Sequence, residues 1–205
     1  MNSIIVARSN DPRMSRRTML DMYRFRHKVF HDRLGWEVNS RNGMEIDVFD
    51  ELDPVYIVAK DGHRRVEGCW RLLPTTGPYM LKDTFPQLLR GEAAPEESDI
   101  WELSRFAVES SEPGDLAQGN LNMVTFQMIR LIVEFAESRG IRHYVTVTSV
   151  AVERLMKQAG ISLRRFGDGR AQRVGKVLTV ACWVDVGMLR LAVDALPADL
   201  PREAA

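Results

Sequence analysis

The chain has only two cysteines, Cys69 and Cys182, in 205 residues, both in apolar, strand-like runs. They read as reduced core residues: a zinc site takes about four ligands, and no second Cys or His lies at ligand spacing. The four histidines, His27, His31, His63 and His143, are scattered and read as surface or capping residues, so no metal is expected. Neither sign of charge is in excess, with 28 Lys and Arg against 28 Asp and Glu. That balance argues against a protein built to coat nucleic acid, and any basic surface must be local. No segment approaches the roughly 20 apolar residues that span a bilayer. The N-terminal stretch has only a short apolar run, Ile4 to Ala7, and no cleavage pattern. Repeats and low-complexity tracts are absent too. These absences predict a soluble, cytoplasmic globular protein, and 45% hydrophobic content is enough to bury a full core. With no linker visible, residues 1–205 read as one domain, and the tail beyond about residue 196 reads as frayed.

Periodicity gives the elements. Ser15 to His31 has apolar residues at helical spacing, Met19, Met22, Tyr23, Val29 and Phe30, with Arg26 on the same stripe. A charge there is costly unless it meets a carboxylate or an anionic ligand. Leu34 to Asp53 is aperiodic and reads as a long loop, carrying Trp36 and the acids Glu45, Asp47, Asp50, Glu51 and Asp53. Such loops are usually functional or mobile. Strands are predicted over Val55–Lys60, Val66–Leu73, Ile100–Val108, Tyr144–Thr148 and Lys176–Val186. A short helix with loops is predicted over Leu81–Arg90, and helices over Leu121–Arg139 closed by Gly140, from a Ser149 cap to Ala159, and over Met188–Ala195. That order implies an α/β fold, a mixed sheet with helices on both faces.

The most informative run is Trp101-Glu102-Leu103-Ser104-Arg105-Phe106. In a regular strand Glu102 and Ser104 share a face and Arg105 points to the other. A bulge would change that and free backbone N–H groups for a ligand. Alone, the run reads as an ordinary ion-paired strand end. Together with Arg26 on an apolar helix face, Arg71 inside a strand, and Asp47 and Asp50 in an aperiodic loop, it predicts a polar cluster holding a zwitterionic ligand. The methionines at helical spacing, Trp70 and Trp183 read as core. Trp36, with no strand or helix beneath it, reads as a ligand platform.

The spaced set Arg26, Phe30, Trp36, Glu45-x-Asp47-x-x-Asp50, Arg71, Phe85 and Glu102-x-x-Arg105 resembles the acyl-homoserine-lactone synthases of LuxI type. So does the run Cys69-Trp70-Arg71-Leu72-Leu73-Pro74-Thr75-Thr76-Gly77-Pro78-Tyr79-Met80-Leu81-Lys82. The resemblance spans nearly the whole chain. It implies an N-acetyltransferase-like three-layer α/β/α sandwich. It implies transfer of an acyl chain from acyl carrier protein to the amine of S-adenosylmethionine, with lactone closure and release of methylthioadenosine. S-adenosylmethionine is then a substrate, and no cofactor, nucleic acid or membrane partner is expected. Glu102 is the candidate base, aided by Ser104 and the backbone near Arg105. Arg26 or Arg105 would grip the carboxylate, and Phe30, Trp36 and Phe106 would line the site. Asp47, Asp50 and Arg71 would form an ion-pair scaffold. Thr148 would bind a 3-oxo acyl oxygen, and Arg154, Lys157, Arg164 and Arg165 would dock the carrier protein. The resemblance of the Thr75–Tyr79 region to long-chain producers implies a medium to long chain. The rivals are a CoA-dependent N-acyltransferase acting on a small amine, and a non-enzymatic binding module. The string Arg164-x-x-Gly167-x-Gly169 matches a pyrophosphate loop but precedes a strand instead of opening a helix, so it carries no weight.

Overall fold

The computed structural model describes residues 3–109 and 123–195. The predicted helix start at Leu121 and the C-terminal tail lie outside them. The chain runs β1 (Ser3–Arg8), α1 (Arg16–Arg26), a π-helical segment (His27–Arg33), β2 (Ser40–Arg41), β3 (Met44–Glu45), a 3-10 turn (Val48–Leu52), β4 (Val55–Lys60) and β5 (Val66–Pro74). It continues through α2 (Met80–Asp83), a second 3-10 turn (Pro86–Leu89), β6 (Ile100–Val108), α3 (Met123–Arg139), β7 (His143–Ser149) and α4 (Val150–Gln158). It closes with β8 (Leu163–Arg165), β9 (Gln172–Val174), β10 (Val177–Asp185) and α5 (Val186–Asp194).

The main sheet has the order β1-β4-β5-β6-β7-β10-β8, with β9 also on β10. Its pairings are antiparallel except the central pair β6–β7. One face carries α1 and the π segment over Tyr56, Val58 and Cys69, with α2 and the second 3-10 turn over Val145 and Ala181. The other face carries α3 and α5 over Ile57, Trp70, Leu72 and Leu103. Alternation along β5 accounts for the division: Cys69, Arg71 and Leu73 face one layer, Trp70 and Leu72 the other. Both cysteines are buried and free.

Several expectations need correction. The run Ile4–Ala7 is the heart of an edge strand, not merely a short apolar stretch, because it pairs along β4 from Ser3↔Lys60 to Arg8↔Val55. The aperiodic stretch after Leu34 is only partly loop: Ser40 pairs with Glu45 and Arg41 with Met44, and Asp47 caps the 3-10 turn. The short helix with loops expected over Leu81–Arg90 takes the form of two short turns parted at Thr84 and Phe85. Two three-residue strands, β8 and β9, fall below the length at which period 2 is readable. The Arg164–Gly169 string lies in β8 and the turn after it. There Gly167, at φ +50°, approaches the Arg90 backbone too closely for any Cβ. The caps follow the sequence: Ser149 accepts from Val152 N–H at 3.1 Å, and the α5 start moves to Val186 because Asp185 caps it.

Candidate active site

The parallel pairing of β6 with β7 covers only Ile100↔His143 to Leu103↔Thr146. Beyond Leu103, β6 is bulged: Arg71 on β5 faces Ser104 while Cys69 faces Ala107, so β6 spends one extra residue there. Arg105 sits at φ +57°, the left-handed region. A non-glycine residue there costs on the order of 1–3 kcal/mol and persists only where surrounding contacts enforce it. The bulge reverses the expected alternation. Arg105 joins Glu102 and Ser104 on the α1 side, and Phe106 turns to the α3 side, where its ring lies 4.6 Å from Trp70.

What enforces the bulge is a buried cluster of three guanidinium and three carboxylate groups. Arg26 donates from Nε to Glu45 at 2.5 Å and from both terminal nitrogens to Asp50 at 2.7 and 3.0 Å. Arg71 donates to Asp47 at 2.5 and 3.0 Å, to Asp50 at 2.7 Å, and to Ser104 Oγ at 3.2 Å. Arg105 closes the ring, reaching Glu45 at 2.8 Å and Asp47 at 2.9 Å. Tyr56 adds its hydroxyl to Asp50 at 2.6 Å. Burial alone would raise Asp50, but the Arg26 and Arg71 charges outweigh it and hold its carboxyl well below the usual carboxylate range. Glu45, the pivot between Arg26 and Arg105, stands in the spaced motif, yet sequence reasoning gave it no role. It lies in a hairpin whose strands are two residues long.

Glu102 is fully buried. Its two oxygens accept the Met80 and Leu81 N–H groups of α2 at 3.0 and 2.7 Å. Burial raises its carboxyl above the ordinary value, and the two backbone bonds and Arg71 only partly offset that. It therefore binds a proton more readily than a free carboxylate, and Ser104, two residues along β6, lines the adjacent cavity.

The cavity opens where β6 and β7 part. Ser104 to Val108 line one side, Thr146 to Ser149 the other, and α3 supplies Ile129 and Ile132. Its volume is about 150 Å³, roughly ten times what one water needs. One end is aromatic and cationic. There Phe30 and Trp36 stack at 5.4 Å, the Arg105 guanidinium lies 5.4 Å over the Phe30 ring, and Arg33 and Phe85 join the wall. The far end is apolar, lined by Met156, Ile161, Leu163, Val184 and Leu189. Arg33, absent from the sequence-based site, is exposed and has no ion-pair partner among the described residues. Arg26 does not line the cavity, and its donors are spent on Glu45 and Asp50.

Three polar groups on this wall lack protein partners among the described residues. The indole N–H groups of Trp36 and Trp70 are buried and unbonded. The Thr148 hydroxyl is bonded to nothing, whereas Thr146 on the same face donates to the Leu103 carbonyl at 2.8 Å. Buried polar groups without partners are rare in native proteins, and a ligand with acceptor oxygens would satisfy the two indoles, while the half-buried Thr148 hydroxyl stays open to such a ligand. Of the expected docking residues, Arg165 and Lys157 are bonded to Glu153 and Arg164 to Glu92. Arg154 is exposed and has no such partner.

The N-acetyltransferase-like sandwich, with a bulged, splayed parallel pair over an apolar cavity, is a fold shared with solved acyl-homoserine-lactone synthases, which are acyltransferases. A sequence model described as autoinducer synthase matches residues 10–189. A curated acyl-homoserine-lactone synthase from Vibrio anguillarum is 43% identical over 177 residues, covering 86% of this chain and 91% of that one. The chain belongs to the autoinducer synthase family. The crystal structure of the synthase LasI is similar at TM-score 0.81 and 36% identity, covering 94% of both chains. That of BjaI, a CoA-dependent acyl-homoserine-lactone synthase solved with MTA, is similar at 0.79 and 26%, covering 95% and 89%. Among the described residues no helix is long and apolar enough to cross a membrane.

Removing one charge from the cluster leaves an uncompensated buried arginine, which costs about 3–5 kcal/mol. Glu45→Gln is therefore expected to lower stability by about that much in denaturant unfolding. The pH dependence has a fixed sign. Asp50 is held below its unfolded value, so its contribution is present above the usual carboxylate range and disappears as pH falls below about 4. A wild-type stability that stays flat from pH 6 to pH 2 contradicts the assignment.

Proposed function

We propose that the chain is an acyl-homoserine-lactone synthase that takes a medium to long, 3-oxo acyl chain from acyl carrier protein. The observation that carries this reading is the two-ended cavity, cationic and aromatic at its mouth and apolar at its far end. S-adenosylmethionine occupies the mouth, its sulfonium and adenosine covered by Phe30 and Trp36. Its carboxylate meets Arg105, whose Nη1 has only the Met80 sulfur as partner at 3.2 Å, together with Arg33. Asp47, Asp50 and Arg71 hold the scaffold. The amine attacks the thioester carbonyl, an N–C bond forms and the C–S bond breaks, and the carrier thiol departs. The amine is nucleophilic only when neutral, and its proton passes to Glu102 through Ser104 or a water. Backbone N–H groups at the bulge stabilise the developing oxyanion. The carboxylate then attacks its own γ-carbon and expels methylthioadenosine. Closure needs little beyond a bent pose, because the held carboxylate has high effective molarity.

The acyl chain runs past Phe106 to the apolar end, and Thr148 donates to the C3 oxygen. The carrier protein docks on the side of α4 and β8, with Arg154 as the available cation beside Lys157, Arg164 and Arg165. Since Arg165 also holds the buried Glu153, reversing Arg154 alone tests docking without disturbing the interior. A CoA donor is the second reading, favoured by the likeness to BjaI.

In Glu102→Gln, turnover is expected to fall about 10²- to 10⁴-fold, with S-adenosylmethionine affinity little changed and circular dichroism confirming the fold. Near-normal turnover excludes Glu102 as the base. In Thr148→Val, paired kinetics with 3-oxo and unsubstituted acyl carrier proteins are expected to show the 3-oxo preference reduced about tenfold. An unchanged ratio makes Thr148 a core threonine.

A further inference from the structure

Away from the cavity, three side chains of metal-ligating type converge on the π-helical segment. His27 and His31 stand four residues apart with their rings stacked, centroids 4.7 Å apart and planes within 16°. Asp32 joins them because the segment is wound i→i+5, shown by Leu34 N–H donating to the Val29 carbonyl at 3.0 Å. An α-helix would turn residue 32 well away from residue 27, so the π winding assembles the group. One donor atom from each side chain lies within 4.8 Å of the others. Asp32 Oδ1 is 2.8 Å from His31 Nδ1 and 3.6 Å from His27 Nε2.

A second observation concerns the other nitrogen of His27. Its Nδ1 lies 2.8 Å from Ser40 Oγ on the β2–β3 hairpin. Metal-ligating imidazoles usually make this outer bond, which fixes the tautomer and leaves the remaining nitrogen lone pair for the ion. In the tautomer that donates Nδ1–H to Ser40, the Nε2 lone pair is the one left on the side of Asp32. The His27 side chain is 19% exposed against 52% for His31 and 56% for Asp32. The group is anchored on one side and open to water ligands on the other.

We propose that His27, His31 and Asp32 bind one divalent transition-metal ion, its coordination completed by water. Two imidazole nitrogens and one carboxylate oxygen select zinc, copper, nickel or cobalt over magnesium and calcium, which prefer all-oxygen sites. The i,i+4 spacing of His27 and His31 is a ligand spacing on one helical face, so the reading of these histidines as scattered is corrected. The site would also brace the cavity wall: the His31 and Phe30 carbonyls accept the Gly35 and Trp36 N–H groups, each near 3.0 Å. An ion joining His27 to Asp32 closes the segment from which Phe30 and Trp36 are presented.

The test uses the untagged, metal-free full chain. Zinc binding is measured by equilibrium dialysis, cobalt binding by its visible absorption, and melting temperature with each ion. The expected result is one ion per chain, a zinc-dependent rise in melting temperature and no response to magnesium. Affinity in His31→Gln and Asp32→Asn is expected to fall at least about tenfold, with the thermal response lost, while His63→Gln behaves as wild type. Both altered side chains are exposed, so these variants retain the fold. Absence of zinc binding in the wild type, or equal binding in His31→Gln, overturns the proposal.

Discussion

A guanidinium removed from water must be paired, and this protein buries three of them against one face of its sheet. The pairing cannot be made locally, because the partners come from β3 and from the turn that follows it. Arg26 on α1, Arg71 on β5 and Arg105 on β6 are joined only through Glu45, Asp47 and Asp50. That requirement draws the 34–53 segment across the sheet face and fixes its course. It also offsets the cost of the left-handed Arg105, whose side chain reaches the cluster only because the strand is bulged there.

The bulge is the link between stability and chemistry. An unbulged β6 would keep Arg105 on the α3 side and could continue pairing with β7. Bulged, it parts from β7 after Leu103, and the cavity occupies the gap. The strain thus stands at the cavity wall, where the proposed reaction brings the acyl group and the amine together, and in that proposal the charged cluster beside it serves as support. Most of its donors are saturated, which suits a rigid wall, and Arg105 is the member that also lines the cavity.

The three-layer sandwich was legible because β4, β5, β6, α3 and β10 are long enough for their periods to show. The cluster was legible in outline, since Arg26 lies on an apolar stripe and Arg71 within a buried strand, positions where an unpaired charge is costly. Its wiring was not legible. Glu45 belongs to a two-residue strand without a period, and the face to which Arg105 turns depends on one backbone angle. Edge strand β1 looked like a short apolar run because pairing with β4, not its own pattern, makes it a strand. Arg33 and the grouping of His27, His31 and Asp32 depend on π winding, which helical templates of period 3.6 do not register.

In the proposed reaction this wall directs an amine onto a thioester and then a carboxylate onto the adjacent sulfonium-bearing chain. It is tested most directly by mass spectrometry of the purified protein's reaction with S-adenosylmethionine and a 3-oxo acyl carrier protein, run beside the same acyl group on CoA. The expected products are acyl-homoserine lactone and methylthioadenosine in equal amounts, formed faster from the carrier protein. An acylated product that retains the sulfonium, or methylthioadenosine without any lactone, would contradict it.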